Sequence, residues 1–204
     1  MTASGKYTFV IADLAGYTAL TEAHGGAEAA KTVARYTEMA SSALSPGVRL
    51  AERVGDQVLF VADDARNAVT TALALKSAVD REPLFLGVRI GIAAGVAVEQ
   101  DGRYFGPALN IAARVAAHAR GGQILCTGPV AAAVRGLADM RCVAAGPVRL
   151  KNVLEPIEIF EIVSEEYKSS VIDPVAPAYR SMARHTTSAH LNAPTRSPNI
   201  RRRT

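Results

Sequence analysis

A two-residue turn between two apolar runs decides which sheet topologies are open to this chain. The runs are "VRLAERV" and "QVLFVA", and Gly55-Asp56 separates them. Two residues are enough to join antiparallel strands, whereas parallel neighbours require a crossover of roughly a dozen residues. The turn therefore predicts a β-hairpin and disfavours a doubly wound parallel sheet.

Alternating strand-like and helix-like patterns continue on both sides of this hairpin. Further strands are predicted at 6–13, 87–100, 123–127, 140–150 and 157–163, and helices at 26–44, 64–81, 106–120 and 129–137. Asp64 is a candidate N-cap of the second helix, and Pro107 suits the first turn of the third. The order is βαββαβ followed by αβαββ, and its first six elements match the ferredoxin-like split βαβ layout. We therefore expect an α+β fold whose mostly antiparallel sheet carries helices on one face.

Charge and composition separate a globular part from a basic tail. The 204 residues are 49% hydrophobic and 21% charged, a balance that argues against global disorder. Residues 164–204 are rich in Ser, Thr, Pro, Ala and Arg and carry seven Lys and Arg against three acidic side chains, whereas the preceding part carries 16 of each. We expect one domain over residues 5–163, a disordered tail over 164–204, and no nucleic acid as its partner.

Nothing in the sequence indicates a membrane span or a secretion signal. No apolar run approaches the roughly 18 residues that cross a bilayer, and the short N-terminal run contains Asp13. Cys126 and Cys142 lack metal-ligand spacing and are expected to be plain thiols in a reducing compartment. We expect a cytoplasmic protein.

Two aspartates are the first candidates for chemistry. Asp13 ends the first strand and Asp56 lies in the hairpin turn, and the split βαβ layout brings these two positions together. Close carboxylates repel one another and one of them takes up a proton, whereas around a divalent cation they form an oxygen site suited to Mg²⁺ or Mn²⁺. Taken singly, each is also explained as a strand-end cap or a turn former.

A second group of polar side chains lies in the segment "YFGPALNIAARV". Asn110 and Arg114 are four residues apart and therefore share one face of the predicted helix. Arg114 offers a cationic fork for phosphate oxygens, and Asn110 offers a neutral donor and acceptor. The competing interpretation is a solvent-facing polar stripe.

Five segments, taken in order, resemble the catalytic domain of the class III nucleotidyl cyclases, the adenylyl and guanylyl cyclases. They are "FVIADLAGYT", "ERVGDQVLFVA", "YFGPALNIAARV", "GGQILCT" and "RLKNVLEPIEIFEI", and they span about residues 5–163. The last segment has Asn152 where the family has glycine, and asparagine tolerates the left-handed turn conformation. The resemblance implies conversion of ATP or GTP to a 3′,5′-cyclic nucleotide and pyrophosphate by two-metal catalysis.

The resemblance also assigns roles to residues. Two Mg²⁺ or Mn²⁺ ions would be held by the side chains of Asp13 and Asp56 and by the carbonyl of Leu14. Phosphates and ribose would be held by Gly16, Tyr17, Thr18, Asn110 and Lys151, and Arg114 would stabilise the charge that develops on the α-phosphate. In this family the metal aspartates and the Asn/Arg pair come from opposite subunits, which implies a head-to-tail homodimer with two shared sites.

Base choice in this family depends on two further positions, which are Glu52 and Arg103 here. Glu52 only accepts hydrogen bonds and Arg103 only donates them. This pair complements guanine N1–H, N2–H₂ and O6, but a reversed pairing with adenine, or a direct Glu52–Arg103 ion pair, remains open. Both ATP and GTP therefore stay candidates.

Two other functions compete with an active cyclase. One is a catalytically weak, cyclase-like module for dimerisation or nucleotide binding. The unusual residues at the two base-recognition positions, Glu52 and Arg103, favour this alternative. The other is a palm-type polymerase or diguanylate cyclase, which shares the core layout. The turn "VGDQV" lacks the GGDEF-like sequence of the diguanylate cyclases.

Overall fold

A single mixed sheet with helices on both faces forms the fold in the computed structural model, which describes residues 2–137 and 140–164. Within those residues the strands are β1 (Thr2–Leu14), β2 (Val48–Val54), β3 (Gln57–Ala62), β4 (Val88–Gln100), β5 (Arg103–Phe105), β6 (Ile124–Thr127), β7 (Met140–Val148) and β8 (Ile157–Ser164). The helices are α1 (Tyr17–Ser42), α2 (Ala65–Arg81), α3 (Pro107–His118) and α4 (Gly128–Val134). The predicted tail, apart from Ser164, lies outside the described residues.

The strand order confirms the expected topology. The strands lie in the order β2-β3-β1-β4-β6-β8-β7, and the short β5 pairs with β4. The β4–β6 pairing is parallel and the other pairings are antiparallel. Strands β2 and β3 have the predicted bounds and flank Gly55-Asp56 as a hairpin, so the βαββαβ order followed by αβαββ is correct.

Local signals also placed two helix starts correctly. The Asp64 side chain accepts a hydrogen bond from the backbone N–H of Arg66 and caps α2, as the N-cap preference of aspartate predicts. Helix α3 begins at Pro107, whose missing N–H costs nothing in the first turn.

Two elements differ from the prediction. Helix α1 begins at Tyr17 rather than at residue 26, and it is broken at Gly25, whose φ of 79° and ψ of 170° are not helical. Strand β5 was not predicted, because three residues are too few to show a period. It follows Asp101 and Gly102, whose φ angles of 52° and 77° turn the chain back onto β4.

The two faces of the sheet carry different helices. Helices α1, α2 and α4 pack on one face against buried β-strand side chains such as Val10, Phe60 and Ile90. Helix α3 packs on the opposite face, where its alanines contact the row of Phe9, Leu59 and Ala93. The expectation of helices on one face is therefore right for α1 and α2 and wrong for α3. No helix in the described part of the chain has the length and apolar character needed to span a bilayer.

Helix α3 approaches the sheet closely because β4 has a glycine beneath it. A Cβ atom on Gly91 would lie 2.1 Å from the backbone nitrogen of Ala116 and 2.5 Å from the carbonyl oxygen of Ala112. Both are helix backbone atoms, so no side chain can move aside to make room. The position of α3 over the sheet therefore depends on Gly91.

The Gly91→Ala substitution is expected to destabilise the protein, because α3 must move outward to admit one methyl group. Overpacking of this kind costs about 1–3 kcal/mol, which lowers the melting temperature of a domain of this size by about 2–4 °C per kcal/mol. Thermal unfolding followed by circular dichroism measures the change. Gly26→Ala is the matched control, since nothing lies within 4 Å of the added methyl group. Equal melting temperatures for the two variants would contradict the close packing.

Candidate active site

The register of β1 and β3 brings Asp13 next to Asp56. Asp13 pairs with Gln57, the residue that follows Asp56. Burial, a side-chain hydrogen bond with Asp13 and the charge of that carboxylate raise the pKa of Asp56 from 3.8 to about 6. Two close carboxylates therefore favour a proton on Asp56, and this proton is lost as the pH rises through about 6.

Arg89 neutralises the other carboxylate. It lies on β4 directly opposite Asp13, and its Nε donates to Asp13 Oδ2 at 2.8 Å while Nη2 donates to the same oxygen. The Asp13 side chain is only 15% exposed, so the ion pair lies at the edge of the core and not in open solvent. Arg89 was not among the residues predicted from the sequence, because only the cross-strand register places it beside Asp13.

Tyr36 adds a polar atom that the described residues do not satisfy. Its side chain on α1 is fully buried, and its hydroxyl has no hydrogen-bond partner within residues 2–137 and 140–164. Burial, followed by the negative charges of Asp13 and Asp56, raises the pKa of Tyr36 well above its ordinary value. A water or ion at the two carboxylates would give such an orphaned group a partner.

The donor set fits a hard divalent cation that keeps part of its water shell. No group of three or more His, Cys, Asp or Glu side chains that could hold a metal occurs in the described part of the chain. Two carboxylates remain, with the backbone at the end of β1, and Mg²⁺ is commonly bound through one or two carboxylates plus substrate phosphates. Asp13 and Asp56 are therefore compatible with Mg²⁺ or Mn²⁺ that is completed by substrate and water.

We expect the Asp56→Asn substitution to stabilise the metal-free protein at neutral pH. Because folding raises the pKa of Asp56 to about 6, its contribution to stability is present below about pH 4 and is lost as the pH rises through 6. The neutral amide avoids that loss. The melting temperature in EDTA should rise by about 2–4 °C at pH 7.5, for about 1 kcal/mol retained by a partly exposed group, and should not change near pH 4.

Asp64→Asn is the control for this measurement, since asparagine also caps helices and Asp64 lies outside the aspartate pair. Its melting temperature should follow that of the parent at each pH. A difference in melting temperature between Asp56→Asn and the parent that stays constant from pH 4 to 7.5 would rule out repulsion between the carboxylates of Asp13 and Asp56.

A helix N-terminus faces the end of β1. Leu14 is buried and ends the strand, and Gly16 adopts a φ of 88° before α1 begins at Tyr17. No side chain caps this helix, so the backbone N–H groups of the first turn, which includes the exposed Thr18, are available to an anion. The predicted residues Gly16, Tyr17 and Thr18 thus form one turn beside the aspartates.

Helix α3 presents the other predicted residues. Its Ala112 and Val115 side chains are buried, whereas Asn110 and Arg114 are exposed on the outer face. Leu150, two residues after the end of β7, belongs to the same apolar cluster as Val115, which brings the exposed Lys151 to this side of the helix. Asn152 has a φ of 60°, the left-handed conformation that the sequence analysis expected at the position where the family has glycine.

Glu52 and Arg103 line one cavity. Its volume is about 290 Å³, and Asp101 and Tyr104 also contribute to its wall. A neighbouring cavity of about 180 Å³ is lined by Glu52 and Asn110. Glu52 therefore lies between Arg103 and Asn110, and the structure brings together the two positions on which base choice was predicted to depend.

A β-bulge turns Glu52 toward this cavity. The pairing of β2 with β3 shifts between Leu50 and Glu52, so that Glu52, rather than Ala51, pairs with Leu59. Leu59 belongs to the core beneath α3, and so Glu52 faces α3 as well. Strict alternation from Leu50 would have directed Glu52 to the opposite face, because a shift of one residue reverses the face of each side chain.

The predicted residues thus fall into two groups. Asp13, Asp56 and the turn at Gly16 form the first group, and Glu52, Arg103, Asn110, Arg114 and Lys151 form the second. Within the residues that the structure describes, no hydrogen bond or ion pair joins either aspartate to Asn110 or Arg114.

Several known proteins similar to this chain are described as cyclases. A protein described as a pH-sensitive adenylate cyclase of Mycobacterium tuberculosis is 31% identical over 160 residues, which are 77% of this chain and 40% of that protein. A crystal structure described as an adenylate/guanylate cyclase/hydrolase from Silicibacter pomeroyi has a TM-score of 0.72 and 26% identity, and the match covers 81% of this chain and 100% of the other. No protein-family profile matches the sequence.

Solved structures described as guanylate cyclases share this fold as well. The guanylate cyclase domain of a Catenaria anguillulae protein, solved in complex with GTP, has a TM-score of 0.66 and 17% identity over 79% of this chain and 98% of its own. This chain spans less than half the length of the Mycobacterium relative. In fold and in sequence similarity, the chain belongs with the class III adenylyl and guanylyl cyclase catalytic domains.

Proposed function

We propose that this protein is a purine nucleotide cyclase that converts ATP or GTP to a 3′,5′-cyclic nucleotide and pyrophosphate. The observation that carries the proposal is the juxtaposition of Asp13 and Asp56 by the pairing of β1 with β3, beside a helix N-terminus that no side chain caps. Two adjacent carboxylates that repel each other near neutral pH suit divalent cations and a triphosphate. The similarity to adenylyl and guanylyl cyclases supports the same reaction.

Asp13, Asp56 and the Leu14 carbonyl would hold two Mg²⁺ or Mn²⁺ ions. When bound, these ions supply activation of the 3′-hydroxyl and neutralisation of the triphosphate. Arg89 orients the Asp13 side chain through its two hydrogen bonds. The N–H groups at Gly16, Tyr17 and Thr18 bind phosphate oxygens.

The residues on and beside α3 would act on the rest of the substrate. Asn110 orients the ribose so that its 3′-oxygen faces the α-phosphorus. As the new O–P bond forms, the bond to the β-phosphate oxygen breaks, the hydroxyl proton is lost and pyrophosphate leaves. Arg114 stabilises the charge on the α-phosphate, and Lys151 binds the β- and γ-phosphates.

We propose a head-to-tail homodimer as the active form. Asp13 and Asp56 of one subunit would face Asn110 and Arg114 of the partner, and each dimer would contain two equivalent sites. The similarity to adenylyl and guanylyl cyclases supports this arrangement, because the sites of that family are shared between two subunits.

The direct test is product formation by the purified full chain with Mn²⁺ and either ATP or GTP. We expect cyclic nucleotide and pyrophosphate in equal amounts from at least one triphosphate, and none when EDTA removes the metal. Nucleotide binding without product would reject the enzyme and favour the binding module. Absence of both binding and product would reject both functions.

A further inference from the structure

Arg49 joins two parts of the fold that the sheet connects only indirectly. It lies on β2, the edge strand beside β3, and its Nε donates a 2.9 Å hydrogen bond to the hydroxyl oxygen of Tyr104 on β5. Nη2 of Arg49 donates to the same oxygen. Because Val61 pairs with both Arg49 and Phe9, the guanidinium lies on the α3 side of the sheet, the side that Glu52 faces.

The geometry of this contact is directional as well as electrostatic. The guanidinium carbon of Arg49 lies 5.4 Å from the ring centre of Tyr104 and 5.9 Å from that of Tyr7. The Tyr7 and Tyr104 rings meet edge to face, with centres 5.2 Å apart. A guanidinium that donates two hydrogen bonds beside two aromatic rings is more restricted in orientation than a single charge would be.

The carboxylates near Arg49 do not compete for these hydrogen bonds. Asp63 is 3.7 Å away and its side chain is 71% exposed, and Glu99 is 3.9 Å away. Exposed ion pairs at such distances contribute little. Both short hydrogen bonds of the guanidinium therefore go to Tyr104, and we name this contact the Arg49–Tyr104 bridge.

The two residues of the Arg49–Tyr104 bridge are close in sequence to Glu52 and Arg103, the two positions predicted to determine base choice. Arg103 immediately precedes Tyr104, and Glu52 follows Arg49 after the bulge. Strand β5 has three residues and pairs with the far end of β4, so its backbone pairing alone holds it weakly. Tyr104 is only 6% exposed and also lines the 290 Å³ cavity between Glu52 and Arg103.

We infer that the Arg49–Tyr104 bridge is a positioning device that sets the spacing between Glu52 and Arg103 and so determines which purine base is preferred. This inference rests on the proposed cyclase function. Discrimination between bases requires donors and acceptors at fixed separations, since a polar site rejects the wrong base only when its own groups are left unpaired. If β5 moves relative to β2, that penalty is lost.

The test compares the two triphosphates in the full chain. We measure kcat/KM for ATP and for GTP with the parent, with Tyr104→Phe, which removes only the accepting hydroxyl, and with Arg49→Lys, which keeps the charge without the fork. The ratio of the two kcat/KM values should fall at least about tenfold in Tyr104→Phe, chiefly through a higher KM for the preferred triphosphate. Arg49→Lys should give an intermediate ratio.

Arg53→Met is the matched control, because Arg53 is an exposed arginine on the same strand and should leave the ratio unchanged. Thermal unfolding of each variant separates positioning from general destabilisation. A parent ratio within about twofold of one, an unchanged ratio in Tyr104→Phe, or equal loss of activity with both triphosphates would overturn the inference.

A binding assay with fluorescent ATP and GTP analogues tests the role of the bridge separately from the proposed cyclase activity. A parent that binds nucleotide without forming product contradicts the proposed function and leaves the ratio of the two Kd values to decide the inference. Tyr104→Phe should then bring the two Kd values together. Unchanged Kd values would reject the bridge as a determinant of base choice.

Discussion

The Asp56→Asn variant is expected to lose at least about 99% of the cyclase activity of the parent while its metal-free form becomes more stable. Loss of one metal-binding carboxylate removes several kcal/mol of transition-state stabilisation, and about 3 kcal/mol corresponds to roughly a hundredfold in rate. The neutral amide also ends the repulsion with Asp13 that raises the pKa of Asp56. Activity and stability therefore change in opposite directions.

The measurement is initial rate with saturating Mn²⁺ and the better triphosphate, alongside melting temperature in EDTA at pH 7.5. Asp64→Asn serves as the control, since it makes the same chemical change at a helix cap away from the aspartate pair, and it should keep the parent rate. Near-parental activity in Asp56→Asn would remove Asp56 from the catalytic site. Loss of activity together with loss of stability would indicate a damaged fold instead.

Mixing Asp13→Ala chains with Arg114→Ala chains should restore activity that neither variant has alone. In a head-to-tail dimer, each mixed pair contains one site with an intact Asp13 from one subunit and an intact Arg114 from the other. Random exchange makes half of the dimers mixed, and half of their sites are intact. Recovery should therefore approach about a quarter of the parent activity.

A second mixture controls for effects of mixing itself. Asp13→Ala and Asp56→Ala change the same half of the site, so their combination leaves no site with both aspartates and should stay inactive. Recovery in this control, or failure of the first mixture after dimers are shown to exchange, would argue against sites shared between subunits.

The sequence alone was sufficient for the order of the elements other than β5 and for the pairing of β2 with β3. Gly55-Asp56 required a hairpin, and alternation around it gave β2 and β3 their observed bounds. Asp64 and Pro107 marked the starts of α2 and α3. These signals succeed because turns, caps and periodicity depend on residues close together in the chain.

The candidate residues could likewise be selected from short motifs. Asp13, Asp56, Asn110 and Arg114 stand in segments that resemble the cyclase catalytic domain, and the structure brings the two aspartates together. Their roles in catalysis remain predictions for the experiments above. Arg89 and Tyr36 could not be predicted from these segments. They lie on β4 and α1, and only the tertiary fold brings them close to the aspartates.

Only the tertiary structure decided how Glu52 and Arg103, the two positions predicted to determine base choice, are arranged. The bulge between Leu50 and Glu52 reverses the face on which Glu52 lies, and β5 is held opposite it through Arg49 and Tyr104. The close packing of α3 on the sheet also depends on a residue distant in sequence, Gly91 of β4, which leaves room for the helix backbone. Local sequence determined which elements form, but register, bulges and helix faces are set by contacts between residues far apart in the chain, and no local pattern records them.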